Sequence, residues 1–413
     1  MKDKLVKILK EQFYPISLYS RQIAGTLVLL LITRMLSVYD YGLFKSYGAI
    51  VGFWLMFANL GYNEYIIVSS QNVVKDVRLK IGFFLLNAVF VACLIALGGI
   101  FSTLESKFIF ILVLIRSFFD GTFFGIMLPY YQASRNFNLI SKINIFYSVM
   151  TIIIAGVSYW LHFSLAKFLI LGILLGLFNF VQCSFYAKID YLLTIKHLKQ
   201  LFKKIDKSVF AYSGVALCWY LYNQLPSVFA SIYITKEEAA LYFSAFAIAS
   251  IIGLLLAAQV QKIVPEFINA SVEKVNKVIK YNLKFILLIN GAIFLFFMFF
   301  GKELLLLLYG KTYYMQAYPI LLFLTFSNIS IAIAAIYGAY ITASGNQKMK
   351  IKMQVEAILI TVLTLVLFHK FGIYAATLAY FLSATHIGIR YVIKTKQLLR
   401  LNNTKENLCN SKI

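Results

Sequence analysis

Arg116 and Asp120 stand four residues apart in the apolar stretch 113–121, VLIRSFFDG, so a helix there puts a cation and a carboxylate on one face. Arg21 stands in another apolar stretch, preceded by Ser17 and Ser20 and followed by Gly25, a narrow polar stripe at helical spacing. An ionised side chain in the middle of a membrane helix costs about 2.5–3.5 kcal/mol and faces a cavity or a partner rather than lipid. Guanidinium keeps its charge when poorly hydrated and offers paired N–H groups to phosphate or carboxylate oxygens. The chemistry open to these residues is therefore anion recognition, with Asp120 tuning Arg116 or titrating. A packing role stands beside it. Arg116 and Asp120 can neutralise one another and tie helices together, while Arg21 lays its stem along a helix and reaches the interface.

A second set of polar residues lies far along the chain. Tyr220, Asn223, Ser227 and Ser231 recur at helical spacing, with Gln224 beside them and Pro226 as an expected kink. Two adjacent amides in lipid are expensive, so Asn223, Gln224 and Ser227 are expected to line a cavity, where amide and hydroxyl groups suit sugar hydroxyls; packing of small polar groups between helices is the alternative. Arg34, Asp40 and Glu64 sit near the ends of apolar runs and are candidates for gating or ion coupling. His386 is too isolated to rank. There is no H-E-x-x-H, G-x-S-x-G or phosphate loop, so neither an enzyme nor nucleotide hydrolysis is expected. The four cysteines have no C-x-x-C spacing, and no metal site or cofactor is expected.

The elements that must position these residues follow from composition. Of 413 residues, 61% are hydrophobic and only 13% charged, and the mean hydropathy is +0.81. A soluble domain carries about 25% charged residues, so the solvent of this chain is lipid and its backbone must close its own hydrogen bonds as helices. Apolar windows predict twelve spans, near 13–33, 42–61, 81–101, 108–128, 143–162, 167–187, 209–233, 240–261, 282–301, 317–343, 353–369 and 372–393. The net charge of +23 then records topology rather than nucleic-acid binding. With both termini cytoplasmic, Lys and Arg concentrate in every inner connection, while Lys45, Lys107 and Lys370 count among the few outside. The expected organisation is an N-terminal six-helix lobe (1–187), a cytoplasmic amphipathic linker (188–208), a C-terminal six-helix lobe (209–401) and a cytoplasmic tail (402–413). An internal repeat supports it: 42–50, GLFKSYGAI, aligns without a gap on 240–248, ALYFSAFAI. Ala133-Ser134-Arg135-Asn136 likewise reads against Ala343-Ser344-Gly345-Asn346. Lobes of six helices with the same sense are parallel repeats.

Further residues carry a family resemblance. Ile32-Thr33-Arg34 is followed by Tyr41-Gly42-Leu43-Phe44 and then Leu60-Gly61; the second half has KEEAALYFSAF from Lys236 to Phe246, Pro265, LYGKTYYMQAY from Leu308 to Tyr318, and ASGNQK from Ala343 to Lys348. With these the chain resembles the polysaccharide flippases of the multidrug/oligosaccharidyl-lipid/polysaccharide exporter superfamily, especially the Wzx-type O-antigen flippases. It departs from them in having Ala240 where the second hairpin usually has glycine, and in the polar Tyr62-Asn63-Glu64 after Leu60-Gly61. The resemblance implies an all-α polytopic membrane protein, with twelve transmembrane helices in two parallel six-helix lobes around a central cavity. It implies a bacterial inner-membrane flippase that carries a polyprenyl-pyrophosphate-linked (undecaprenyl type) oligosaccharide from the inner to the outer leaflet by alternating access, for O-antigen, capsule or exopolysaccharide synthesis. Arg21 and Arg116 would then meet the pyrophosphate or acidic sugars. The implied partners are that lipid-linked oligosaccharide, a coupling ion (H⁺ or Na⁺), and the polymerase and glycosyltransferases of the pathway. Two alternatives remain: a multidrug or organic-cation antiporter of the same superfamily, which would favour acidic residues in the first-half cavity, and a membrane-embedded polysaccharide polymerase or ligase, which needs a large outer loop.

Overall fold

The computed structural model describes residues 17, 20, 21, 23–59, 74–123, 126, 127, 131, 137–189, 194–197, 207–267 and 270–410. Among them there is no strand, and besides a short helical piece at 194–197 there are twelve longer helices in chain order: α1 (Ile23–Met35, with Ser17, Ser20 and Arg21 also helical), α2 (Val38–Asn59), α3 (Val74–Phe101), α4 (Lys107–Ser117), α5 (Phe137–Trp160), α6 (Leu165–Ala187), α7 (Lys207–Tyr233), α8 (Lys236–Phe267), α9 (Val272–Tyr309), α10 (Tyr318–Ala343), α11 (Gln347–Leu367) and α12 (Ile373–Asn410). The chain is an all-α, multi-pass membrane protein with a helix at each expected span.

The helices differ from the apolar windows mainly in length. α9 starts at Val272 instead of 282, and α12 continues to Asn410 through what the sequence marks as a tail. At 38 residues each, both are about 57 Å long, against about 30 Å of hydrocarbon. Hydropathy detects only the part in lipid. The polar end of α9 is held by its own pattern: Ser271 Oγ accepts from the Lys274 backbone N–H at 3.4 Å, and Val275 and Ile279 are buried while Lys274, Lys277 and Lys280 face out. Most of the expected linker, at 190–193 and 198–206, lies outside the described residues, as does the segment 133–136 of the second repeat.

The chain divides into two compact units, Met1–Leu217 and Cys218–Ile413, with the break inside α7. In the first unit α2 packs on α3 and α4, and α6 packs on α4 and α5. Tyr47 of α2 fixes the start of α4, its hydroxyl accepting from the Ser106 N–H at 3.1 Å while its ring meets Phe110 edge-on at 5.5 Å. In the second unit α10 is the central helix, packed by α8, α9 and α12, with α11 on α12. Small residues let α10 and α12 approach closely, as is common between membrane helices. A Cβ at Gly388 would lie 3.1 Å from the Ser330 carbonyl oxygen, and one at Gly338 would overlap the Tyr391 ring.

The repeat extends into hydrogen bonding. Ser37 Oγ donates to Asp40 Oδ2 at 2.7 Å and accepts from the Asp40 N–H at 3.0 Å, closing the start of α2. Thr235 Oγ1 donates to Glu238 Oε2 at 3.2 Å and accepts from the Glu238 N–H at 3.3 Å, closing the start of α8. Both are hydroxyl–acid capping boxes, set in the two units at the same offset as the sequence match. Ser46 and Ser244, paired by that match, are both fully buried.

Candidate functional site

Five helices of the first unit contribute to one polar cluster. The four-residue spacing brings Arg116 Nε to 3.2 Å from Asp120 Oδ2. The contact uses one nitrogen, not the two-pronged fork, and the other carboxylate oxygen has a different partner: Asp120 Oδ1 accepts from the hydroxyl of Tyr147 on α5. Arg21 reaches the same residue from α1. Its Nη2 donates to the Asp120 backbone carbonyl at 3.1 Å, and its Cζ stands 5.6 Å from the centre of the Tyr147 ring.

The backbone explains how one residue serves three partners. Beyond Ser117, α4 continues as a π-helical turn, Phe118–Phe123, containing Asp120 and Gly121. Such a turn shifts the hydrogen-bond register by one residue and recurs at functional sites. Here the Asp120 carbonyl accepts from a side chain of another helix.

Arg116 is enclosed by aromatic faces, its Cζ 4.5 Å from the Phe168 ring of α6 and 5.8 Å from the Phe44 ring of α2, both within cation–π range. Gly172 and Gly176, one turn apart on α6, provide the space. A Cβ at 172 would lie 3.0 Å from Arg116 Nε; one at 176 would lie 2.7 Å from Phe119 Cβ and 3.4 Å from Asp120 Oδ1. The Arg116 side chain is only 12% exposed, and its Nη1 is sealed from solvent with no hydrogen-bond partner among the described residues. A buried unsatisfied donor costs about 1–3 kcal/mol, and more when charged.

Lys45, which the sequence places with the outer connections, belongs to this cluster instead. It is half-buried on α2, its Nζ 5.6 Å from the Phe44 ring, which the Arg116 guanidinium also faces, and 5.9 Å from that of Tyr41. Arg116 thus meets the Asp120 carboxylate and Arg21 its backbone carbonyl, with Lys45 on the Phe44 ring that Arg116 also faces, so the cluster holds three cations and one carboxylate. In a low-dielectric interior that excess favours an anion, and the unpaired guanidinium nitrogen is a donor ready for it.

The remaining sequence candidates are placed differently. Asn223, Gln224 and Ser227 lie in the second unit, on an α7 that passes Pro226 without a break. Asn223 Nδ2 donates to the Trp219 carbonyl of its own helix at 2.8 Å, and the Ser227 carbonyl accepts from Ser231 Oγ at 2.7 Å. Asp40 closes the α2 cap, Arg34 is exposed at the end of α1, and Glu64 lies outside the described residues. Tyr147, Lys45, Phe44 and Phe168 do not stand out in the sequence as site residues, although Phe44 belongs to a family motif and Lys45 counts among the outer cations. The first two carry no local signal, being a tyrosine among 28 and a lysine near a loop. His386, isolated in sequence, has a partner on α11: its Nε2 is 3.2 Å from Glu356 Oε2, and Arg390 grips the same carboxylate with Nε and Nη2, both at 2.8 Å.

No family model and no curated protein matches the sequence. Solved structures do match in fold. The lipid II flippase MurJ, in an inward closed conformation, superposes with a TM-score of 0.71 at 17% identity, covering 93% of this chain and 87% of that one. An inward-facing multidrug resistance MATE family transporter of the MOP superfamily gives 0.64 at 11% identity, over 93% and 96% of the two chains. A MOP superfamily transporter from Pyrococcus furiosus, described as having a binding pocket of reverse polarity, gives 0.62 at 12%, over 95% and 94%. The chain therefore has the fold that these transporters share.

Proposed function

We propose that this protein is a flippase for a polyprenyl-pyrophosphate-linked oligosaccharide, moving it from the inner to the outer leaflet of the bacterial cytoplasmic membrane by alternating access, without making or breaking a covalent bond. The observation that carries the reading is the part-buried cluster in which Arg21 and Arg116 meet at Asp120, the one carboxylate, with Lys45 beside Arg116 on the Phe44 ring. A pyrophosphate diester brings two negative charges, which match the excess, and oxygens for the Arg116 donor that lacks a partner. The fold agrees with this reading, since one of the similar structures is a lipid flippase. On it, the glycan supports O-antigen, capsule or exopolysaccharide synthesis, the glycosyltransferases and polymerase act before and after this step, both termini are cytoplasmic, and an H⁺ or Na⁺ gradient or the substrate gradient drives transport.

Deleting the gene tests it. The lipid-linked oligosaccharide should accumulate in the inner leaflet, protected from a membrane-impermeant probe, and the wild-type gene should restore surface glycan. An unchanged glycan profile overturns the reading. A multidrug transporter is the second reading, because several similar structures are of that kind and the aromatic walls around Arg116 would suit an organic cation. Three resident cations oppose it, and on the flippase reading the deletion leaves drug susceptibility unaltered.

A further inference from the structure

We propose that Tyr147 is the positioning residue of the anion site: it holds the Asp120 carboxylate to a single contact with Arg116, so that the rest of the guanidinium stays available to substrate. The inference rests on the anion-binding reading above and adds the device that keeps the site open.

Left to itself, a carboxylate beside an arginine takes both oxygens to two N–H groups, the strongest arrangement available to the pair. That fork would occupy the edge a phosphate needs. Here it does not form. Asp120 Oδ1 is taken by the Tyr147 hydroxyl, and only Oδ2 reaches Arg116 Nε. Arg116 Nη1 remains without a partner, held in place by the Phe168 and Phe44 faces. Tyr147 is well placed for this. It is buried in the core of the first unit, in the same apolar cluster as Ile143, Ile140 and Phe84, residues that have no part in the site. Its ring also lies against Arg21, whose Nη2 anchors the Asp120 carbonyl. The one side chain therefore touches both arginines, Arg116 through the Asp120 carboxylate and Arg21 through its own ring face.

Tyr147→Phe removes the hydroxyl and nothing else: the ring, its face toward Arg21 and the net charge all stay. Released Oδ1 then swings to Arg116, closes the fork and competes with the substrate. A double-mutant cycle separates this from a loss of structure. Binding of inorganic pyrophosphate is measured by calorimetry on the full-length protein in detergent, for wild type, Tyr147→Phe, Asp120→Asn and the double variant, with thermal unfolding in parallel. Tyr147→Phe should weaken binding about tenfold, the worth of one hydrogen bond to a charged group, with unfolding temperature within a degree or two of wild type. In the Asp120→Asn background, where no carboxylate is left to compete, the same change should have no effect. Equal weakening in both backgrounds, or none in either, overturns the proposal while leaving the anion site intact. Failure of both wild type and Asp120→Asn to bind pyrophosphate removes the anion-site reading and this proposal with it.

Discussion

Arg116 has three kinds of neighbour: a carboxylate on its own helix, aromatic faces on two others, and a glycine that leaves room for its stem. Each yields an expectation. Arg116→Lys keeps the charge but loses the planar face that stacks on Phe168 and the forked donors, so surface glycan should fall nearly as far as with Arg116→Ala. Immunoblots should show both proteins at normal level. Rescue by lysine would mean that charge alone suffices. At Gly172 an added methyl meets Arg116 Nε at 3.0 Å. Gly172→Ala should therefore displace the guanidinium and lower pyrophosphate affinity several-fold, with a stability loss of about 1–2 kcal/mol, toward the low end for overpacking. The same substitution at Gly25, which has nothing within 4 Å, is the control and should change neither.

Among the elements, the helix starts and the π-turn show what spacing alone can and cannot convey. Asp40 reads as a gate in sequence because it is an acid between two spans; in the structure it closes the α2 cap with Ser37. Asp40→Ala should cost about 1 kcal/mol in detergent unfolding and leave glycan export intact. Loss of export at normal stability would return it to a gating role. The twelve helices were legible because lipid leaves a backbone no other choice, and the Arg116–Asp120 contact because i and i+4 share a face. The ends of α9 and α12 were not, since their polar turns are amphipathic rather than apolar and fall below a hydropathy window. Nor was the π-turn. Nothing in Phe118–Phe123 announces a shifted register, nor that the Asp120 carbonyl within it accepts from Arg21 of another helix. Deleting Gly121, which removes the inserted residue, should abolish pyrophosphate binding while circular dichroism stays that of a helical protein.

For the whole molecule, an even number of spans would put both termini on one side, and on the flippase reading the Lys and Arg distribution makes that side the cytoplasm. Fluorescent fusions to either terminus should light up inside cells, and a periplasm-dependent phosphatase at either end should stay inactive. Within the second unit, Glu356 joins α11 to α12 through the Arg390 fork and His386. These groups are about one-quarter to one-third exposed, so Glu356→Gln should cost only about 1 kcal/mol, read by thermal unfolding. The contacts that make Tyr147, Lys45 and Phe168 into a site arise only when five helices are assembled, which is why a reading of one span at a time passes over them.

The Arg116 donor sealed from solvent without a partner also bears on the life of the protein in the cell. A fold that holds such a group stands on a weaker footing empty than filled, because a bound guest adds to folding stability as the logarithm of one plus the ratio of its free concentration to its dissociation constant. Small stability changes of that kind alter how much chain escapes proteolysis. On the flippase reading, when the supply of lipid-linked oligosaccharide falls, copies of this chain should thin out, so its amount tracks the supply of its substrate.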